Sequence, residues 1–154
     1  MEKSRVASLT EKLRTGNTRV RVSAAWILGE MADLGAVGPL IDALGDDEFE
    51  VRGNAARALG RISDPRAFEP LMELLGDGHL LVRQRAIEAL GRLRDKRAME
   101  TLIALFEDRT EDQQIRSAAA TALGYLDRRP RTLWERLLGR RKWVIKGDRW
   151  EWLR

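Results

Sequence analysis

Four ten-residue segments of this chain can be laid over one another: VRVSAAWILG from Val20, VRGNAARALG from Val51, VRQRAIEALG from Val82 and IRSAAATALG from Ile115. They are offset by 31, 31 and 33 residues, and repetition at such a period marks a chain of stacked, near-identical units. An aspartate follows each segment, at Asp33, Asp64, Asp95 and Asp127, and then comes a second apolar stretch: AVGPLIDALG, AFEPLMELLG, AMETLIALFE and TLWERLLG. Val51, Ala55, Ala56, Ala58 and Leu59 form one helical stripe, and Ala67, Phe68, Leu71, Met72, Leu74 and Leu75 form another, so each repeat is expected to be two helices. Alanine along the first stripe lets neighbouring backbones approach closely. Gly45 and Gly76 follow the last apolar residue, where a left-handed C-cap favours glycine. Asp64-Pro65 reads as an N-cap and first helical residue, and Pro39 and Pro70 stand in or near a first turn, where a missing N–H costs little.

One helix pair cannot bury its own apolar face, but a stack of pairs can. The expected fold is therefore all-α: an α-α superhelix of four helix pairs over residues 1–140. Lys3 to Arg14, with Val6, Leu9 and Leu13, reads as a capping helix before the first full repeat. No stretch of residues 1–140 alternates with period two, so no β reading competes there.

A repeat of this length, with V-R-x-x-A-A-x-A-L-G, a turn aspartate and A-x-x-P-L-x-x-L, resembles the short HEAT-like repeats of the phycobilisome-lyase type. The resemblance implies a solenoid. It leaves function open, because similar proteins include chromophore lyases, a metal-dependent hydroxylase, adaptors and binding scaffolds. The hydroxylase branch uses repeated His-Glu pairs as iron ligands, and this chain contains no His-Glu.

Composition narrows the function further. Without cysteine, thiol catalysis and zinc-thiolate sites are excluded, and His79 is the one histidine. No nucleophile–base pair, metal-ligand cluster or glycine-rich phosphate loop is visible, so a non-enzymatic protein without a cofactor is expected. No signal peptide or membrane-length apolar run is seen, and the expected location is the cytoplasm. The net charge of +4 is unevenly spread: Arg128 to Arg154 carries ten basic and three acidic residues, whereas the preceding 127 carry eighteen and twenty-one.

Arg21, Arg52, Arg83 and Arg116 recur in every repeat. Residues kept in each repeat serve the repeat itself, so these arginines and the turn aspartates are expected to tie adjacent turns together. Function belongs where repeats differ, on the first-helix face opposite the alanine stripe. In proteins resembling this one, that face lines the concave groove. The candidates for binding a partner are Arg19, Trp26 and Glu30 in the first repeat and Phe49, Asn54, Arg57 and Arg61 in the second. Leu81, Arg85, Glu88 and Arg92 follow in the third, and Tyr125 in the fourth. Aromatic anchors among arginines suit a protein partner with an acidic segment. For Phe49, Leu80 and Leu81 an inward, inter-repeat position is the competing reading. His79 is expected to be a solvated loop residue, and the carboxylates from Asp46 to Glu50 to cap a helix.

The last segment, 141–154, breaks the pattern. Gly147-Asp148 between two short runs signals a hairpin that sets Trp143 opposite Trp152 and Ile145 opposite Trp150. Two roles compete for those four residues: capping the last repeat, or a basic aromatic arm that docks on a partner. Arg128, Arg129, Arg131, Arg140, Arg141 and Lys142 would supply charge to such an arm. The first functional expectation is a scaffold or adaptor that grips a protein through its concave face. The alternatives are a nucleic-acid-associated protein using the basic C-terminal end and a bilin-lyase-like protein.

Overall fold

The computed structural model describes residues 2–126 and, as backbone, strands 143–146 and 149–152. Its long helices are α1 (Glu2–Thr15), α2 (Thr18–Met31), α4 (Phe49–Ile62), α6 (Leu80–Leu93) and α8 (Gln113–Leu126). Between them lie the shorter α3 (Val37–Asp42), α5 (Phe68–Glu73) and α7 (Met99–Glu107). The chain is an all-α stack, in which α2, α4, α6 and α8 form one row and α1, α3, α5 and α7 the other. Strands β1 (Trp143–Lys146) and β2 (Arg149–Trp152) pair antiparallel, with Trp143 opposite Trp152 and Ile145 opposite Trp150. The stretch TLWERLLG, the Gly147-Asp148 turn and the basic residues from Arg128 to Lys142 lie outside the described residues, as do the side chains of the hairpin.

One apolar core runs the length of the stack. Leu28, Leu59, Leu90 and Leu123, at the same place in each repeat, are fully buried, and Leu40, Leu71 and Leu102 meet them from the short helices. Burying each such leucine contributes roughly 2–3 kcal/mol. The repeated glycine has a packing reason. A Cβ at Gly29 would lie 2.8 Å from Ala58 Cα, one at Gly60 2.7 Å from Ala89 Cα, and one at Gly91 2.8 Å from Ala122 Cα. Each long helix thus seats the alanine of the next against its own backbone, and the glycine–alanine pair repeats with the chain.

The second helix of each pair is shorter than the continuous apolar pattern implies. Pro65–Ala67 and Leu74–Gly76 are 3₁₀ turns on either side of α5, and Leu34–Ala36 and Ala43–Gly45 flank α3 in the same way. Asp64 caps the first of those 3₁₀ turns by accepting from Arg66 N at 2.9 Å, with Pro65 behind it. Gly45 and Gly76 are not left-handed C-caps as expected. The tightened turn passes straight into extended backbone at Asp46 and Asp77, so no reversal through a positive φ is needed. Left-handed backbone occurs instead after the long helices, at Ala32 (φ 50°), Ser63 (φ 55°) and Arg94 (φ 54°).

The arginines that open each long helix are structural, but their partners differ from those expected. Arg21 Nε lies 2.8 Å from Asp46 Oδ2, Arg52 Nε donates to Asp77 Oδ2 at 2.7 Å, and Arg83 Nη2 donates to Glu111 Oε1 at 2.9 Å. Arg116 donates to the Phe106 carbonyl at 3.2 Å. The turn aspartates are out of reach because a 14-residue helix separates them from the arginine, a span of about 21 Å. Asp33, Asp64 and Asp95 instead accept the backbone N–H two residues on. Asp46 and Asp77 also accept from Glu48 N and His79 N, at 2.9 and 2.8 Å, so each carboxylate joins an arginine of one repeat to the helix start of the next.

These pairs shift the groups that form them. Burial pushes the Asp77 carboxyl up, but the hydrogen bonds from Arg52 and His79 N and the Arg52 charge together hold it below its ordinary value. The Arg97 side chain, with its backbone N–H, holds Asp95 below its ordinary value against burial. Arg97 also lies over the Phe68 ring, 3.9 Å from its centre.

Candidate functional site

Trp26, Arg57, Glu88 and Thr121 occupy one equivalent place in the four repeats, and Glu30, Arg61, Arg92 and Tyr125 another. Both rows lie on the faces of α2, α4, α6 and α8 that the core leaves uncovered. Trp26 is 47% exposed, Leu81 37% and Tyr125 47%. The other large apolar candidate differs: Phe49 is half-buried, with its ring stacked on His79 at 3.7 Å between centres and 11° between planes. Leu80 is half-buried against the core. Of the three residues left undecided between groove and packing, Phe49 and Leu80 pack and Leu81 is exposed. His79 is not simply solvated; it seals the start of α6 against the start of α4.

Charge on this face is largely paired within it. Glu30 Oε2 accepts from Arg61 Nη2 at 2.9 Å, and Glu30 Oε1 lies 3.8 Å from Arg57 Nη2. Arg61 also donates to the Gly29 carbonyl at 3.3 Å. Glu88 accepts from both Arg85 Nη1 and Gln84 Nε2 at 3.0 Å. Asn54 donates back to the Glu50 carbonyl. The result between α2 and α4 is a filled surface, with long side chains lying on one another. Arg19 and Arg92 have no carboxylate partner among the described residues.

The surface opens between α6 and α8. There a groove of about 820 Å³ is walled on one side by Gln84, Glu88 and Arg92 and on the other by Gln114, Ser117, Thr121 and Tyr125, with Asp112 and Gln113 at one end. Its cause is side-chain length. Ser117, Ala118 and Thr121 stand where the third repeat has Gln84, Arg85 and Glu88, so none of these three side chains reaches across. The Tyr125 ring flanks Gly91: a Cβ built there would be 3.3 Å from Tyr125 Cδ2. The groove brings Glu88, Arg92 and Tyr125 together, while Trp26, Glu30, Asn54, Arg57 and Arg61 stay on the filled part of the face. Gln84, Gln113, Gln114, Ser117 and Thr121 also line it. The shortening of side chains in the fourth repeat was their signal in the sequence.

Among the described residues no three of His, Asp, Glu or Cys gather at metal-binding distance, and no helix is long and apolar enough to cross a membrane.

Comparison with known proteins agrees with this architecture. Among curated proteins none matches. Among solved structures, a chain of the CpcE–CpcF complex of phycocyanin lyase from Nostoc is 31% identical, with a TM-score of 0.69 over 77% of this chain and 52% of that one. Human deoxyhypusine hydroxylase is 23% identical, with a TM-score of 0.67 over 95% of this chain and 49% of that one. A designed armadillo repeat protein in complex with the peptide (KR)4 is 21% identical, with a TM-score of 0.63 over 82% and 66%. The latter two likenesses are of fold alone, and this chain spans about half the length of the lyase and hydroxylase chains. The model for HEAT repeats matches residues 6–80 and 75–147, and with glycine–alanine seats and arginine–carboxylate ties recurring along the stack, the chain belongs to the HEAT repeat family.

Proposed function

We propose that this protein is a non-enzymatic scaffold or adaptor that binds a protein partner through the face formed by α2, α4, α6 and α8, the concave face of the solenoid. The observation that carries this reading is the groove between α6 and α8, at one end of a face that also exposes Trp26, Leu81 and Tyr125. Partly exposed aromatic residues beside arginines are the usual anchors of a protein interface, and the repeat-specific residues collect on this face and not in the core. A cytoplasmic location goes with this reading. The test is capture of partners by the immobilised full-length protein from its source lysate, with and without nuclease. A protein retained in stoichiometric amount after nuclease treatment, and lost with Trp26→Glu, is the expected result. Nucleic acid as the main retained species, released by salt as phosphate contacts are, would move the function to the basic segment after Arg128.

A second reading has its own support in the 31% identity to a chain of a phycocyanin lyase complex. Under it the same face would handle a bilin chromophore. Incubation with a free bilin, followed by gel filtration, separates the two: pigment co-eluting with the protein favours the lyase-like reading, and a colourless protein peak favours the scaffold.

A further inference from the structure

We infer that the groove between α6 and α8 is a subsite for an extended peptide segment carrying an acidic and a basic side chain about six residues apart. This deepens the concave-face reading and rests on it. The two ends of the groove differ in charge. Arg92, in the last turn of α6, has no carboxylate partner among the described residues and lines the same end of the groove as Tyr125. The Asp112 carboxylate, just before the first residue of α8, accepts from Gln114 N at 2.7 Å, and its second oxygen has no partner among the described residues. Between these ends the walls are neutral: Gln84, Gln114, Ser117 and Thr121. Glu88 adds no free charge, because Arg85 and Gln84 already occupy it.

The dimensions choose the ligand. From Asp112 to Tyr125, which stands level with Arg92 in the repeat, the helix rises about 20 Å, which an extended strand covers in about six residues. The Gln113 and Gln114 amides and the Ser117 hydroxyl on the α8 side match the N–H and C=O groups of such a backbone, which a helical ligand would keep to itself. A carboxylate on the ligand pairs with the planar guanidinium of Arg92, and a cation about six residues away meets Asp112. A uniformly acidic segment fits worse, since its far end would face Asp112. The groove therefore asks for a bipolar partner, narrower than the acidic one expected from the arginine column alone.

The experiment is selection of a displayed library of random decapeptides on the full-length protein, followed by calorimetric titration of the synthetic winners. Winners with an acidic and a basic residue separated by about five or six positions are expected. Their affinity should fall about tenfold in Arg92→Glu and in Asp112→Lys, the loss of a good charge pair, and be abolished in Thr121→Trp, which fills the groove from an exposed position. A second selection should show the specificity changing sign: Arg92→Glu enriches peptides with two basic residues, and Asp112→Lys peptides with two acidic ones. Winners without the bipolar pattern, winners that bind Thr121→Trp as well as the parent, or no enrichment at all would overturn the inference. If such winners are nevertheless lost with Trp26→Glu, the concave face still binds protein and only the groove assignment fails. Winners indifferent to Trp26→Glu and Thr121→Trp alike would take both readings down.

Discussion

Arg52 holds together two loops that the backbone alone would leave apart. Its guanidinium donates to Asp77 at 2.7 and 3.1 Å and to the Asp46 carbonyl at 2.8 Å. Both side chains are mostly covered, 18% and 10% exposed, so a hydrogen bond between charged groups here is worth about 1–3 kcal/mol. Asp77 is held below its ordinary value, so its contribution is fully present above the usual aspartate value near 4 and is lost as pH falls through the lower folded-state value. Thermal melts should therefore show Asp77→Asn less stable than the parent near neutral pH, with the gap closing as the parent is acidified below about pH 4. A gap that stays constant into acid would show that the pair is not what the carboxylate provides. Ala32 offers a change of opposite sign. It holds φ 50° with its side chain exposed, a conformation glycine adopts freely. Ala32→Gly is expected to raise stability by about 0.5–1 kcal/mol, measured by denaturant titration. The arginine was readable as structural because it recurs; its partner was not, because it lies 25 residues away, in the loop before the next long helix.

Along the long helices one glycine has two opposite meanings. In an open helix, glycine to alanine gains up to about 1 kcal/mol. At Gly60 the added methyl would sit 2.7 Å from Ala89 Cα, backbone that cannot move without separating two repeats, so Gly60→Ala should cost about 1–3 kcal/mol. At Gly124 nothing described lies within 4 Å of the new Cβ, so Gly124→Ala should be neutral or stabilising by up to about 1 kcal/mol. Denaturant midpoints of the two variants against the parent check the pair, and equal destabilisation would mean that the seat is not what distinguishes them. The helix periods and the alanine stripe were legible because they are local and repeat four times. The breaking of the second helices into 3₁₀ turns was not, since continuous apolar spacing fits either hydrogen-bond pattern for a single turn.

Taken whole, the molecule is a row of units in which each contacts its neighbours, and binding can be altered without harming the stack. Trp26 and Thr121 are both exposed, so Trp26→Glu and Thr121→Trp should each shift unfolding free energy by less than about 0.5 kcal/mol while reducing partner capture. A large loss of stability in Trp26→Glu would make its binding loss uninformative and assign that residue to packing.

The sequence by itself determined that the chain is a solenoid of helix pairs, which stripe each long helix buries and which face is left to vary. Those properties follow from periods of three and four residues and from a repeat in which every copy gives the same instruction. Only the tertiary structure decided which carboxylate meets each arginine, that Phe49 stacks on His79, and where along the varied face a groove opens. Each of these depends on what a neighbour 25 to 33 residues away presents across the gap, and in the fourth repeat it presents side chains too short to fill it.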